Sequence, residues 1–162
     1  MSISQNKLTN PFVSFYAVQH NNVTKIAGDQ MWHIIKTDQI LPSKGKYTLS
    51  FSIIKTVSSC IEVGLMPQDY EPVDNKICQQ SIGFHFANGK VHDTRGKKDK
   101  KGTIWRAVCE PAEKGQLGTI EMSVDADSQM IYWRLDGKVF AKSVLTDYLK
   151  SVPCVAFISC FS

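Results

Sequence analysis

The feature that most constrains the fold of this chain is a run of alternating segments joined by tight turns, between residues 118 and 141. Every second residue is apolar from Ile120 to Val124, and the alternation resumes from Ile131 to Leu135. A period of two is that of a strand with one buried and one solvated side. Asp136-Gly137 follows, a dipeptide typical of two-residue hairpins because both positions need positive φ. The segment predicts the antiparallel meander of an all-β protein.

Short strands are predicted along most of the remaining chain. We expect them near residues 12–18, 31–36, 46–54, 60–65, 82–86, 104–109, 117–125, 130–135, 138–142 and 153–160. Residues 143–150 have helical spacing and predict at most one or two short helical turns. Trp133 shares the parity of Ile131 and Leu135, so we expect it in the core, and Trp32 is expected to pack as well. Many short strands with regular turns indicate an antiparallel β-sandwich.

The order of the motifs resembles the SPRY domain family, whose fold is a bent, concanavalin-like β-sandwich. The resemblance covers nearly the whole chain from Trp32 onward. SPRY domains usually add a closing strand after the last of these motifs, whereas this sequence stops at Ser162. Either the strands near residues 12–18 complete the sheet, or the chain is part of a longer protein. The motifs are Trp32-His33-Ile34-Ile35, Gly45 to Phe51, Ile61 to Leu65, Ser81-Ile82-Gly83-Phe84, Ile120 to Asp125, Ile131 to Phe140 and Val152 to Ala156.

Length and composition predict one domain. The chain has 162 residues, 43% of them hydrophobic and 21% charged, which is ordinary for a globular domain with a sizeable core. We expect residues 1–11 to be a polar lead-in and residues 12–162 to be a single domain. We find no apolar run long enough for a membrane span and no signal peptide. Five cysteines without a C-x-x-C pair favour reduced thiols, so the expected location is cytoplasmic.

A search for catalytic motifs favours a protein without enzymatic activity, cofactor or metal. The sequence lacks G-x-S-x-G, G-x-x-x-x-G-K-[ST] and G-x-G-x-x-G, the usual marks of hydrolases and nucleotide-binding loops. Glu121 and Asp125 share one face of a predicted strand, but they lie about 13 Å apart along it. Retaining glycosidases need carboxyls roughly 5 Å apart. His85 to Lys90 weakly resembles a galectin sugar site, but its Asn88 falls on the opposite face.

The SPRY resemblance implies a function in binding other proteins, as an adaptor or scaffold. In that family the loop at this position after the Ile61 to Leu65 strand forms one wall of a shallow pocket for an extended peptide. The loop near the final strand supplies other walls. Alternatively, Tyr70 folds back over an edge of the sandwich. By position, the expected partner-binding residues are Met66, Pro67, Gln68, Asp69 and Tyr70 in the first loop, and Phe157, Ser159 and Phe161 in the second.

A second candidate is the basic loop, which we define as Arg95, Lys97, Lys98, Lys100 and Lys101. With Asp99 it carries a net charge of +4, equal to the formal net charge of the whole chain. Such a block attracts acidic protein tails or phosphates, although it lacks interleaved aromatics for stacking bases. It is also typical of a solvated hairpin tip. Two alternatives to peptide binding therefore stay open: a carbohydrate-binding lectin on the same fold, and a basic-loop module for acidic tails or nucleic acid, the latter disfavoured.

Overall fold

The computed structural model describes residues 8–9, 16–19, 22–25, 32–52, 61–71, 81–93, 104–107, 118–145, 149 and 151–161. Most side chains are described from residue 34 onward within these ranges. The elements are β1 (Leu8–Thr9), β2 (Tyr16–Gln19), β3 (Asn22–Lys25), β4 (Trp32–Ile40), β5 (Lys46–Ser52), β6 (Ile61–Pro67), β7 (Ile82–His85), β8 (Lys90–Asp93), β9 (Ile104–Ala107), β10 (Thr119–Asp125), β11 (Met130–Leu135), β12 (Lys138–Val144) and β13 (Cys154–Phe161).

The strands form two main antiparallel sheets and a small third one. The larger sheet has the order β1-β4-β13-β6-β7-β8-β9, and the smaller has the order β12-β11-β10-β5. β2 and β3 pair only with each other among the described strands. The predicted antiparallel, all-β architecture is confirmed. Leu8 and Thr9, from the predicted lead-in, pair with β4, and the division at residue 12 stays a prediction.

The core lies between the inner faces of the two main sheets. Alternate residues of β6, β7 and β13 pack against alternate residues of β10 and β11 in one apolar cluster, as the period of a strand requires. Trp133 lies at its centre with none of its surface exposed, which confirms the predicted core position. Its indole Nε1 donates a hydrogen bond of 2.8 Å to the carbonyl oxygen of Val63 in the opposite sheet. One side chain thus joins the two layers by packing and by a hydrogen bond.

The predicted hairpin turns are present. Asp136 and Gly137 have φ values of 48° and 79°, so both occupy the left-handed region that a primed two-residue turn requires. The Asp136 carboxylate accepts a hydrogen bond of 2.8 Å from the backbone N–H of Thr119, which ties this turn to β10. Residues 126–129 form the other predicted turn, and the Asp125 carboxylate accepts from the N–H of Ser128 at 3.0 Å. Asp125 therefore stabilises a turn.

Three strands were not predicted from the sequence: β1, β3 and β8. β8 reads Lys90-Val91-His92-Asp93 and has a single aliphatic residue, so it lacks the apolar alternation that marks a strand. It is nevertheless an interior strand, in which both Val91 and His92 are buried. In the stretch with helical spacing, β12 extends to Val144, and Leu149 and Ser151 have helical conformation.

The larger sheet is buried on both faces along β6. Every residue from Ile61 to Pro67 is buried, so its outer face, which points away from the sandwich core, is also covered. This outer face carries Met66, Glu62 and Phe157, all at most 6% exposed. The loop that follows β6 lies over part of this second buried layer.

Candidate functional site

The loop from Gln68 to Glu71 follows β6 and is fastened to the larger sheet by one lysine. Lys36 lies on β4, which is separated from β6 by β13. Its Nζ donates to the carbonyl oxygens of Gln68 at 3.1 Å and Tyr70 at 3.0 Å, and it lies 3.5 Å from the Glu71 carboxylate. An ammonium has three N–H donors, and the loop offers three acceptors around it. The loop is therefore held in one conformation by a side chain far away in sequence.

Backbone hydrogen bonds add to this anchoring. The N–H of Gln68 donates to the carbonyl oxygen of Pro153 at 2.9 Å, and the N–H of Tyr70 donates to that of Pro67 at 3.2 Å. The first bond joins the loop to the segment that precedes β13. The loop is thus tied on two sides, to β4 and to the start of β13.

A small apolar cluster lies beneath the loop, on the outer face of the larger sheet. It consists of Ile34, Met66, Val155 and Phe157, and Tyr70 packs against it. Phe157 pairs with Gly64 of β6, and its ring lies over that glycine, where any Cβ would overlap it. The absence of a side chain at Gly64 therefore makes room for Phe157. We call these four residues the floor.

The exposed residues above the floor define a surface, which we call the Tyr70 surface. Gln68 and Asp69 are exposed, Tyr70 is half-buried, and the Glu71 side chain is 83% exposed. Ile40 is 47% exposed, and it pairs with Val155, so both side chains lie on the same face. Ile40 thus adds an apolar contact beside the floor. The Tyr70 surface consists of Ile40, Gln68, Asp69, Tyr70 and Glu71.

The structure separates the expected partner-binding residues into two groups. Gln68, Asp69 and Tyr70 lie on the Tyr70 surface. Met66, Phe157 and Ser159 are at most 3% exposed, and Pro67 is buried too. These four lie beneath the surface, because β6 extends through Met66 and Pro67 and β13 is an interior strand. Their expected part in partner binding stays a prediction. The side chain of Phe161 and the whole basic loop, Arg95 to Lys101, lie outside the described residues, so their roles stay predictions.

A chain of buried polar groups lies further along the same outer face. The Glu62 carboxylate on β6 contacts Nδ1 of His92 on β8. Nε2 of His92 lies 2.9 Å from the hydroxyl of Ser81. The two side chains meet across Gly83 of β7, where an added Cβ would overlap the Glu62 carboxylate. Ser81 and His92 are 0% exposed and Glu62 is 6% exposed.

This serine, histidine and carboxylate have the connectivity of a hydrolase triad, but their protonation differs. Burial raises the pKa of the Glu62 carboxyl from 4.5 to about 8 and lowers the pKa of the His92 imidazole from 6.5 to about 3. Near pH 7 a protonated Glu62 therefore donates to Nδ1 of a neutral His92. Nε2 then carries the ring hydrogen and donates to Ser81. A catalytic serine instead donates its own hydrogen to Nε2, so here His92 is no base for Ser81.

Cys154 on β13 carries a buried free thiol. Burial raises the pKa of the Cys154 thiol to about 12, and its Sγ donates to the carbonyl oxygen of Leu149 at 3.3 Å. A buried thiol with so high a pKa is a weak nucleophile.

Among the described residues, no group of histidine, cysteine, aspartate or glutamate side chains is arranged to hold a metal ion. The described residues also contain no helix long and apolar enough to cross a membrane.

Comparison with solved structures identifies the fold. A crystal structure of a human SPRY domain is 15% identical, with a TM-score of 0.64 over 96% of this chain and 91% of the other. The SPRY domain of human HERC1 is 12% identical, with a TM-score of 0.60 over 86% and 80% of the two chains. The chain has the fold of a SPRY domain. The TRIM65 PSpry domain is 10% identical, with a TM-score of 0.50 over 80% and 70%.

Comparisons of sequence find no such match. No protein-family model matches the chain, and no curated protein sequence matches it. The SPRY fold is thus carried here by a sequence only 10–15% identical to the structures it resembles.

Two parts of the site in this SPRY fold have no local signal in the sequence. Lys36 and the loop it anchors are more than thirty residues apart, and Glu62, Ser81 and His92 lie on separate segments. Only strand register brings them together. The one available hint is the pair of glycines on neighbouring strands, Gly64 and Gly83, because glycine within a strand often marks a close approach of other atoms.

The protonation of the buried pair gives a testable pH dependence. Glu62→Gln keeps an N–H that can donate to Nδ1 of His92 but cannot titrate. The folded wild-type protein holds a proton on Glu62 that the unfolded chain releases above pH 4.5. Its free energy of unfolding, relative to that of the variant, should therefore fall by about 1.4 kcal/mol per pH unit. We expect this decline between pH 4.5 and about 8.

Urea titrations of both proteins at several pH values measure this difference, and taking the difference cancels the contribution of other groups such as His85, whose pKa is lowered by burial. If Glu62 were ionised beside a neutral His92, the folded pair would hold no extra proton. The difference between the two proteins would then stay constant across this pH range. That result would overturn the protonated assignment of Glu62.

Proposed function

We propose that this chain is a non-catalytic protein-interaction module that binds a short extended segment of a partner protein, as part of an adaptor or scaffold. The observation that carries the proposal is the anchoring of the Gln68–Glu71 loop by Lys36. A surface that is already ordered loses little conformational entropy on binding, so a modest contact area suffices for useful affinity. The SPRY fold supports the proposal, since SPRY domains are in general protein-interaction modules.

The composition of the Tyr70 surface supports the same function. It combines a half-buried tyrosine, an exposed isoleucine and exposed polar groups. Tyrosine is enriched among residues that dominate binding energy, and such residues lie over well-packed neighbours. The floor supplies that packing beneath Tyr70. A partner segment would contact Ile40 and Tyr70 through apolar atoms and Gln68 and Asp69 through hydrogen bonds.

The buried polar chain does not favour a catalytic function. The Ser81 hydroxyl is wholly buried, so a substrate cannot approach it in this conformation. The unreactive thiol of Cys154 agrees with a protein of a reducing compartment, and we propose that the module acts in the cytoplasm.

The proposal is tested by affinity capture from cell extract with quantitative mass spectrometry. We expect the double variant Gln68→Ala/Asp69→Ala to lose partners that the wild-type protein retains, with its free energy of unfolding unchanged within ~0.5 kcal/mol because both side chains are exposed. Tyr70→Ala should lose the same partners and about 1–2 kcal/mol of stability, since its ring is partly packed on the floor.

The matched control is Tyr132→Ala, which removes another half-buried tyrosine, on β11 of the smaller sheet. Tyr132→Ala should retain every partner. If the double variant and Tyr70→Ala capture the same proteins as the wild type, the Tyr70 surface is not the binding site. Enrichment of glycans in place of proteins would favour the lectin alternative.

A further inference from the structure

We infer that the partner segment is basic: an extended stretch with an apolar residue flanked by lysine or arginine. This inference rests on the proposed function and adds to it the charge of the ligand. It follows from the exposed carboxylates of the Tyr70 surface. It also follows from the position of Lys36, the nearest lysine, whose ammonium binds backbone carbonyl oxygens beneath that surface.

The Tyr70 surface displays carboxylates and no cation of its own. Asp69 is exposed at the tip of the loop, and the Glu71 side chain is 83% exposed. Among the described residues, no lysine, arginine or histidine lies within ion-pair distance of Asp69. An arriving cation would therefore find the Asp69 carboxylate open.

Lys36 offsets only part of this negative charge, because its one ammonium pairs with Glu71 and leaves Asp69 unneutralised. Its side chain is only 18% exposed, and its donors point to the carbonyl oxygens of Gln68 and Tyr70 beneath the surface. The same ammonium lies 3.5 Å from one oxygen of the Glu71 carboxylate, Oε1. The effect of Lys36 is to hold the loop so that Asp69 and Glu71 face outward on either side of Tyr70.

The apolar part of the surface sets the second requirement. Ile40 is 47% exposed although it adjoins a floor of buried apolar side chains. Covering it and the open part of Tyr70 removes apolar area from water. An extended segment presents alternate side chains to one face, so an apolar residue can contact Ile40 and Tyr70 while a nearby lysine or arginine reaches Asp69. Complementary charge of this kind speeds encounter and rejects acidic segments.

The test uses an array of capped nine-residue peptides, each with a central leucine or phenylalanine flanked by lysine/arginine, by glutamine or by glutamate. Fluorescence polarisation measures their binding to the wild-type protein. We expect the basic set to bind at least about tenfold more tightly than the acidic set, with affinity falling as salt rises. Asp69→Lys should lower the affinity of basic peptides by roughly tenfold, since it replaces attraction by repulsion.

Glu121→Lys is the matched control, because it makes the same change of charge on the smaller sheet. It should leave basic-peptide affinity within about twofold of the wild type. An equal effect of Glu121→Lys and Asp69→Lys would show a response to net charge alone and would overturn the inference. Equal or tighter binding of neutral or acidic peptides would overturn it as well.

Tyr70→Ala separates failure of this inference from failure of the proposed function. If neutral or acidic peptides bind and Tyr70→Ala abolishes their binding, the surface binds peptides but the charge inference is wrong. If no peptide set shows binding that depends on Tyr70, both are overturned.

Discussion

Replacing Trp133 by alanine should lower the free energy of unfolding by at least about 4 kcal/mol, the largest effect that we expect from one substitution. The indole is 0% exposed at the centre of the core, and truncating a buried tryptophan costs about 3–5 kcal/mol. The carbonyl oxygen of Val63 would also lose its 2.8 Å hydrogen bond from Nε1. Because natural domains have about 5–15 kcal/mol in total, this variant should lose between about a quarter and four fifths of the stability of the domain.

Trp133→Phe and Tyr132→Ala separate the two contributions. Phenylalanine keeps much of the packing and removes the donor, so Trp133→Phe should cost about 1–3 kcal/mol. Tyr132→Ala changes the neighbouring residue, which points away from the core, and should cost less than either. Urea unfolding at one pH measures all three. A cost for Trp133→Ala no larger than that for Tyr132→Ala would contradict the described core.

Replacing Gly64 by alanine should cost about 3 kcal/mol or more, although it adds a single methyl group. The new Cβ would overlap the carbonyl oxygen of Ile82 and would lie 2.7 Å from the Phe157 ring. Neither can move easily, because Ile82 is part of β7 and Phe157 lies in the floor. Overpacking of this kind usually costs 1–3 kcal/mol and occasionally more, and here backbone must move. The displaced floor should also weaken binding at the Tyr70 surface.

Gly137→Ala provides the contrast, since it makes the same chemical change without overlap. Nothing lies within 4 Å of a Cβ at Gly137, but its φ is 79°. The cost should therefore be the conformational strain alone, about 1–2 kcal/mol, with binding unchanged. Thermal unfolding and peptide affinity measured on both variants test this. Equal costs for the two substitutions, or a Gly64→Ala protein with normal stability, would show that β6, β7 and Phe157 do not approach as described.

Local patterns in the sequence were sufficient to predict the smaller sheet. Strand β10 and the first part of β11 alternate clearly, and Asp136-Gly137 specifies its own turn through positive φ. The larger sheet was harder because its outer face is buried too. Continuous burial along β6 removes the alternation, and β8 presents lysine, histidine and aspartate in an interior strand. The place of such a strand depends on the strands that pair with it, and a local sequence pattern carries no information about those strands.

The candidate site was predicted only in part, because its residues are brought together by neighbouring strands and not by a local sequence pattern. The position of Tyr70 was indicated by the loop and by the family resemblance. Met66 was expected in the loop because the strand was predicted to end at Leu65, but β6 continues to Pro67 and places Met66 in the floor. Lys36 belongs to β4, and its Nζ reaches the loop across the intervening strand β13. No spacing in the sequence signals that contact, since register across three strands determines it.

Whether a partner binds at the Tyr70 surface is tested by hydrogen exchange of the backbone amides, measured with and without the tightest partner recovered by capture. We expect slower exchange on binding at residues 67–71 and in the neighbouring part of β4 around Ile40. The exposed face of the smaller sheet, including Tyr132, should not change. Protection confined to the smaller sheet, or exchange that is the same in both states throughout residues 36–41 and 67–71, would contradict the assignment of the Tyr70 surface as the binding site.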